Sequence, residues 1–191
     1  MEYAVNNGAK KITVLCHSNG CNKVIHYFKK YNKMQEYVNK IVFLSPLDFK
    51  TRMFKRRDIL ELIKKARTYQ EQNNQKDLIQ CGFFYKNSES FLDMMYNPDI
   101  DNFPFRSEYN NDFTTFNQIK KDKYILFGED ETKYVEKIPT KLPYLEKKYL
   151  KGILIINKAN HLYQGHEETL CDHILTILEN KYGLGKIYEE K

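Results

Sequence analysis

The sequence predicts an α/β protein whose core is a parallel sheet of about four strands. Two observations carry that prediction. Four short apolar runs, Ile12 to Leu15, Ile41 to Leu44, Tyr124 to Phe127 and Ile153 to Ile156, are continuous rather than alternating, which is how a strand covered on both faces reads. Helical periodicity follows the first run and the last. Val24, Phe28 and Tyr31 recur at helical spacing between Asn19 and Tyr37, and Leu170, Ile174, Ile177 and Leu178 share one side of Glu167 to Lys181. Strand, helix, strand and then strand, helix is α/β winding.

Composition narrows the class further. With 191 residues, 41% hydrophobic and 14% aromatic, the chain buries about two thirds of its unfolded surface on folding, which excludes disorder, a collagenous repeat and a disulfide miniprotein. No apolar run approaches the roughly 20 residues of a membrane span. The opening MEYAVNNGAKK lacks the basic-then-apolar layout of a signal peptide, so the expected compartment is the cytoplasm. Cys16, Cys21, Cys81 and Cys171 form no Cys-x-x-Cys pair and no zinc-like spacing with His; reduced, mostly buried thiols are expected. The formal charge of +6 is spread among interleaved acids. Its densest stretch, Lys55 to Arg57 with Lys64, Lys65 and Arg67, lies opposite Ile59, Leu60, Ile63 and Ala66 on a helical pattern. That is a solvated helix face, and no nucleic-acid partner is expected.

Residues 47–122 interrupt the winding. They hold an amphipathic helix near Arg57 to Gln72, a polar linker from Gln72 to Gln75, a second helical segment around Ser88 to Met95 and an aromatic loop from Asp101 to Arg106. About 75 residues is too long for a crossover, so the segment reads as an inserted, mostly helical cap between core residues 1–46 and 123–191. Its Phe83, Phe84, Tyr85, Phe91, Met94, Met95, Phe103 and Phe105 are either the cap's own core or the lining of an apolar substrate pocket.

The stretch richest in chemistry is Ile12-Thr-Val-Leu-Cys-His-Ser-Asn-Gly-Cys-Asn22. A buried strand runs into Cys16-His17-Ser18-Asn19-Gly20 and a helix starts at once, which sets Ser18 on a sharp strand-to-helix turn. Two later segments repeat the strand-then-loop pattern: Tyr124-Ile-Leu-Phe-Gly-Glu-Asp-Glu131 ends in acids, and Ile153-Leu-Ile-Ile-Asn-Lys-Ala-Asn-His161 ends in a histidine. The bland reading of Ser18 is a helix N-cap.

This order of serine, acid and histidine resembles the α/β-hydrolase superfamily, with Cys16 in place of the first glycine of the Gly-x-Ser-x-Gly elbow. The resemblance spans nearly the whole chain, because Ile41-Val-Phe-Leu-Ser-Pro46 matches the strand after the elbow helix. It is closest to cap-bearing members with a Phe-Pro-Phe-Arg-like segment before the acid's strand. It implies a serine esterase, lipase-like or peptidase-like enzyme acting on a small acyl substrate through an acyl-enzyme, without metal or organic cofactor. Ser18 would be the nucleophile, His161 the base, Asp130 the supporting acid and the Asn19 backbone N–H an oxyanion donor. Glu131 and Asp48 stand as alternative acids, and His166 as a rival to His161. His17 should point away from the serine hydroxyl, His26 and His173 fall within helices, and Cys16 and Cys21 flank the nucleophile position without occupying it.

In that superfamily several strands and a helix precede the elbow, and an early loop supplies the second oxyanion N–H. Here Glu2 to Asn7 reads as the tail of that helix. The expectation is a truncated form with impaired activity, or one completed by another chain or a second copy through the exposed strand 12–15. The alternative is a non-catalytic fragment or binding protein of the same fold.

Overall fold

The computed structural model describes residues 1–31, 33, 35–47, 53–74, 76–82, 85–96, 113–131, 135–136 and 138–181. The chain divides into two compact units, one of Met1–Leu47 with Phe103–Lys191 and one of Asp48–Asn102.

In the first unit, a short helix α1 (Glu2–Asn6) leads to strand β1 (Ile12–His17), helix α2 (Asn19–Lys30) and strand β2 (Val38–Leu44). All three pairings of the four-stranded sheet are parallel, its first pair being β1 with β2. The periodicity predicts α2 as far as Tyr37, but the helix ends at Lys30. Tyr31 turns extended, at φ −126° and ψ 123°, and the Gln35 amide donates to the Phe28 carbonyl at 3.1 Å and also to that of Tyr31. A side chain thus takes up carbonyls that another helical turn would have used.

The second unit contributes α3 (Ile59–Glu71), strands β3 (Leu78–Gln80) and β4 (Tyr85–Asn87), which pair antiparallel, and α4 (Ser88–Tyr96). Ile59, Ile63 and Ala66 of α3 and Phe91, Leu92, Met94 and Met95 of α4 are buried, whereas Tyr85 is exposed. Phe83, Phe84, Phe103, Phe105 and the Asp101 to Arg106 loop lie outside the described residues.

The chain then adds α5 (Thr114–Gln118), β5 (Asp122–Gly128), α6 (Ile138–Lys141), β6 (Leu150–Ile156) and the terminal helix α7 (Glu167–Leu178). The sheet order is β1-β2-β5-β6. Phe113, Phe116 and Ile119, which the sequence assigns to the insertion, belong to the same buried cluster as Cys21 and Ile25 of α2 and Ile41 and Phe43 of β2.

Two clusters explain the continuous apolar runs. Ile41, Phe43, Ile125, Phe127 and Ile153 face the α2 and α5 side, and Val42, Leu44, Tyr124, Leu126 and Ile156 face Ile177 on the α7 side. Each central strand therefore needs apolar residues at every position rather than every second one. Among the described residues β1 has β2 as its one sheet partner, and Leu15 is exposed. Among them also, no helix is long and apolar enough to cross a membrane.

Two buried lysines break the apolar pattern with a common purpose. Lys40 Nζ donates to the carbonyls of Ile177 and Leu178 at the end of α7, and Lys123 Nζ donates to those of Phe116 and Ile119 at the end of α5, at 3.0 and 2.7 Å. A cation at a helix C-terminus meets the negative end of the dipole. Burial nevertheless pushes Lys123 from its ordinary 10.5 down to about 8. Between those values the unfolded chain holds a proton that the folded chain has released, so this residue's contribution to stability rises with pH across that window. The penalty is complete below it. Denaturant midpoints of the natural chain should therefore climb relative to Lys123→Met between about pH 8 and 10. A difference independent of pH would contradict this.

Candidate active site

The site lies at the carboxyl ends of the four parallel strands. β1 ends at His17, and Ser18 adopts φ 55° and ψ −122° before α2 begins at Asn19. A positive φ is costly for a residue with a Cβ. It is held by backbone bonds on both sides: Ser18 N–H donates to the Leu44 carbonyl at 2.9 Å, and the Ser18 carbonyl accepts from Cys21 at 3.2 Å and Leu47 at 3.3 Å. Ser18 occupies the N-cap position, but its hydroxyl makes no capping bond. It lies 3.0 Å from His161 Nε2 instead.

The elbow accommodates Cys16 without overlap. A Cβ at Gly20 would meet the Cys16 Cβ at 3.9 Å, an ordinary contact. Cys21 is fully buried; burial first, and then its neighbour Cys16, push its thiol up, which makes it inert as a nucleophile. Cys16, Cys21 and Cys81 are free and buried, and Cys171 is free and exposed.

His161 sits on the loop after β6, half-buried. Its Nδ1 lies 3.2 Å from Glu131 Oε2. With Nδ1–H donating to the carboxylate, Nε2 is left as the acceptor for the serine hydroxyl. The sequence favours Asp130 as this acid, and the geometry differs. Glu131 N–H closes a tight turn onto the Gly128 carbonyl at 3.0 Å, while Asp130 N–H is held by the Ala159 carbonyl at 3.0 Å. That turn carries Glu131 into the interior and leaves Asp130 exposed. Asp48 lies outside the described residues. His166 is the N-cap residue of α7, makes no side-chain capping bond, and is not joined to Ser18 or Glu131 by any hydrogen bond in the structure.

Three further side chains gather here that sequence reasoning leaves out of the site. His17 does not bond the serine hydroxyl, yet it packs on His161: its Nε2–H donates to the His161 carbonyl at 2.8 Å, and the two rings lie 5.0 Å apart. Ser45, just past β2, bonds Glu131 Oε1, and Tyr163 OH lies 2.8 Å from Ser45 Oγ. The one signal for Ser45 in the sequence is a hydroxyl directly after an unbroken apolar strand.

Gly128 lets the acid's strand and the histidine's loop touch. A Cβ there would stand 2.3 Å from the Ala159 carbonyl oxygen and 2.7 Å from that of Asn160. Gly128→Ala must push backbone away from backbone, and is expected to cost about 1–3 kcal/mol and to move His161 off Glu131. An unchanged denaturant midpoint would contradict that.

A parallel sheet in this order, with a serine in strained backbone after its first strand and a histidine and acid after its last two, has the α/β-hydrolase fold. Residues 1–77 match the family model described as Serine hydrolase. A search of the curated proteins finds no match. Among solved structures the chain is similar to the esterase domain of a Rhodothermus marinus protein, at 9% identity and TM-score 0.48, over 96% of this chain and 66% of that one. It is also similar to an α/β hydrolase enzyme from the metagenome of lagoon sediments at Mar Chica, Morocco, at 13% identity and TM-score 0.45, over 94% of this chain and 67% of that one. A third is the meta-cleavage product hydrolase of Pseudomonas fluorescens IP01, at 13% identity and TM-score 0.46, over 95% and 69%. The chain thus spans about two thirds of the length of the solved structures it resembles.

Proposed function

We propose that the protein is a serine hydrolase of ester or related acyl substrates, working through an acyl-enzyme with Ser18 as nucleophile, His161 as base and Glu131 as the supporting acid. The observation that carries the reading is the continuous line from Ser18 Oγ to His161 Nε2 and from His161 Nδ1 to Glu131. Ser18 Oγ attacks the acyl carbon while its proton passes to Nε2, because a neutral hydroxyl needs a base at neutral pH. The imidazolium that forms is held by the Glu131 carboxylate. Negative charge on the acyl oxygen develops beside the N-terminus of α2, where the Asn19 N–H is the proposed donor. Nε2–H then protonates the leaving group, and water, activated by the same nitrogen, releases the acid and restores Ser18.

A fluorophosphonate probe tests the reading directly. The chain should become covalently labelled at Ser18, located by peptide mapping. Labelling spread over surface serines, or none at all, would overturn it.

A further inference from the structure

Glu131 is the point at which a second set of hydroxyls meets the line of Ser18 and His161. Ser45 Oγ bonds Glu131 Oε1, the oxygen that does not face His161, and the Gly128 N–H approaches that same oxygen at 3.4 Å. Behind Ser45 stands Tyr163, whose OH lies 2.8 Å from Ser45 Oγ and 2.9 Å from the Leu126 carbonyl. Proton counting gives the direction. A carboxylate only accepts, so Ser45 spends its single hydrogen on Glu131 and must accept from Tyr163. The Leu126 carbonyl accepts the Ser45 N–H at 2.8 Å on one lone pair, so the phenol proton is shared between that carbonyl's second lone pair and Ser45 Oγ. Burial raises the Tyr163 phenol well above its ordinary value of 10.0, so it stays a donor throughout the neutral and mildly alkaline range.

Two features argue that this arrangement is more than filling. Ser45 and Tyr163 are buried, at 0% and 2% exposure, where a hydroxyl is costly unless fully bonded. Both also take positive φ, 42° and 56°, a conformation that neither a serine inside the core nor a bulky tyrosine adopts without cost. Ser18 and Lys158 also take positive φ at this edge of the sheet, so three of the strained positions there carry the hydroxyls that run toward His161 and Glu131.

We propose that Ser45 and Tyr163 are positioning residues of the hydrolase: a two-hydroxyl relay, Tyr163 to Ser45 to Glu131, holds the carboxylate so that its other oxygen meets His161. The proposal rests on the serine hydrolase reading. Neither residue touches substrate. Their loss acts on the rate at which Ser18 is activated and leaves substrate binding alone.

The test is a double-mutant cycle read by the rate of fluorophosphonate labelling and by kcat and KM on a simple ester. Ser45→Gly removes the hydroxyl while suiting the positive φ, so the variant should fold at least as well as the natural chain. Tyr163→Phe keeps the ring and loses only the OH. Ser45→Gly should slow labelling and lower kcat about 10-fold, the size expected for an outer hydrogen bond that orients a reacting group, with KM within about 2-fold. Tyr163→Phe should show a smaller loss of the same kind. In a Glu131→Ala background Ser45→Gly should change the rate by less than about 2-fold, because the relay has nothing left to hold. If labelling depends on Ser18 but Ser45→Gly matches the natural chain, or costs as much without Glu131 as with it, the relay is wrong and the hydrolase reading stands. Labelling that survives Ser18→Ala overturns both.

Discussion

The Ser18→Ala chain is expected to take no label from a fluorophosphonate and to lose ester hydrolysis by about 10⁴- to 10⁶-fold, the loss typical of removing a serine nucleophile. Folding should scarcely notice. The substitution removes one hydrogen bond to a half-buried histidine, worth about 1 kcal/mol net, and alanine inherits the same φ of 55°. Ser18→Gly sharpens the experiment. Without a Cβ the strain of that backbone falls away, a gain of about 1–2 kcal/mol, so Ser18→Gly should be equally inactive yet at least as stable as Ser18→Ala. A nucleophile at a strained turn predicts this combination of lost activity and gained stability. An N-cap serine predicts the reverse, since its replacement costs helix stability and no activity. Residual labelling in Ser18→Ala would sink the assignment.

The second large effect separates two neighbouring acids. Glu131→Gln should slow turnover about 10²- to 10⁴-fold, whereas Asp130→Asn should leave the rate within about 2-fold. Gln can turn its amide N–H toward His161 Nδ1, which favours the wrong tautomer and leaves the imidazolium unsupported. Asp130 is exposed, and among the described residues its bond is made by its backbone N–H, to the Ala159 carbonyl. The two variants need only steady-state rates and a melting curve. Equal losses in both, or a larger loss in Asp130→Asn, would reject Glu131 as the acid.

These two acids also mark how far the sequence can be read. The four apolar runs announce four strands; β2 and β5 are buried at nearly every position because both faces of the sheet are covered there, whereas β1 leaves Leu15 exposed. The serine is legible because it follows β1 at once, and the histidine because it stands in the loop between the last strand and the last helix. Glu131 is harder to read because it comes after a turn. Whether residue 130 or 131 enters the core depends on the bond from Glu131 N–H to the Gly128 carbonyl, and a one-residue difference in a tight loop leaves no trace in composition or periodicity. Ser45 and Tyr163 are hidden differently. Their role comes from contacts 86 and 118 residues away in sequence, and apart from the hydroxyl that follows an apolar run at Ser45 nothing near either residue announces them. The end of α2 at Lys30 likewise depends on where the Gln35 amide turns.

The sheet order gives the pairing of Ser18 with His161 a further meaning. Among the described residues β1 and β6 are the outer strands of four, and three strand spacings put their ends about 14 Å apart, yet the two side chains meet at 3.0 Å. The loop after β6 must therefore reach back over β5 and β2, touching Glu131 on the way. The resulting clasp has one member hung from each strand: Ser18 from β1, Ser45 from β2, Glu131 from β5 and His161 from β6. A slip of one residue in any strand would carry its member about 3.3 Å along the sheet, beyond hydrogen-bonding reach, and turn its side chain to the opposite face. The serine and histidine thus act as a gauge of register for the whole sheet, and any probe that reads their chemistry also reads whether all four strands are in step.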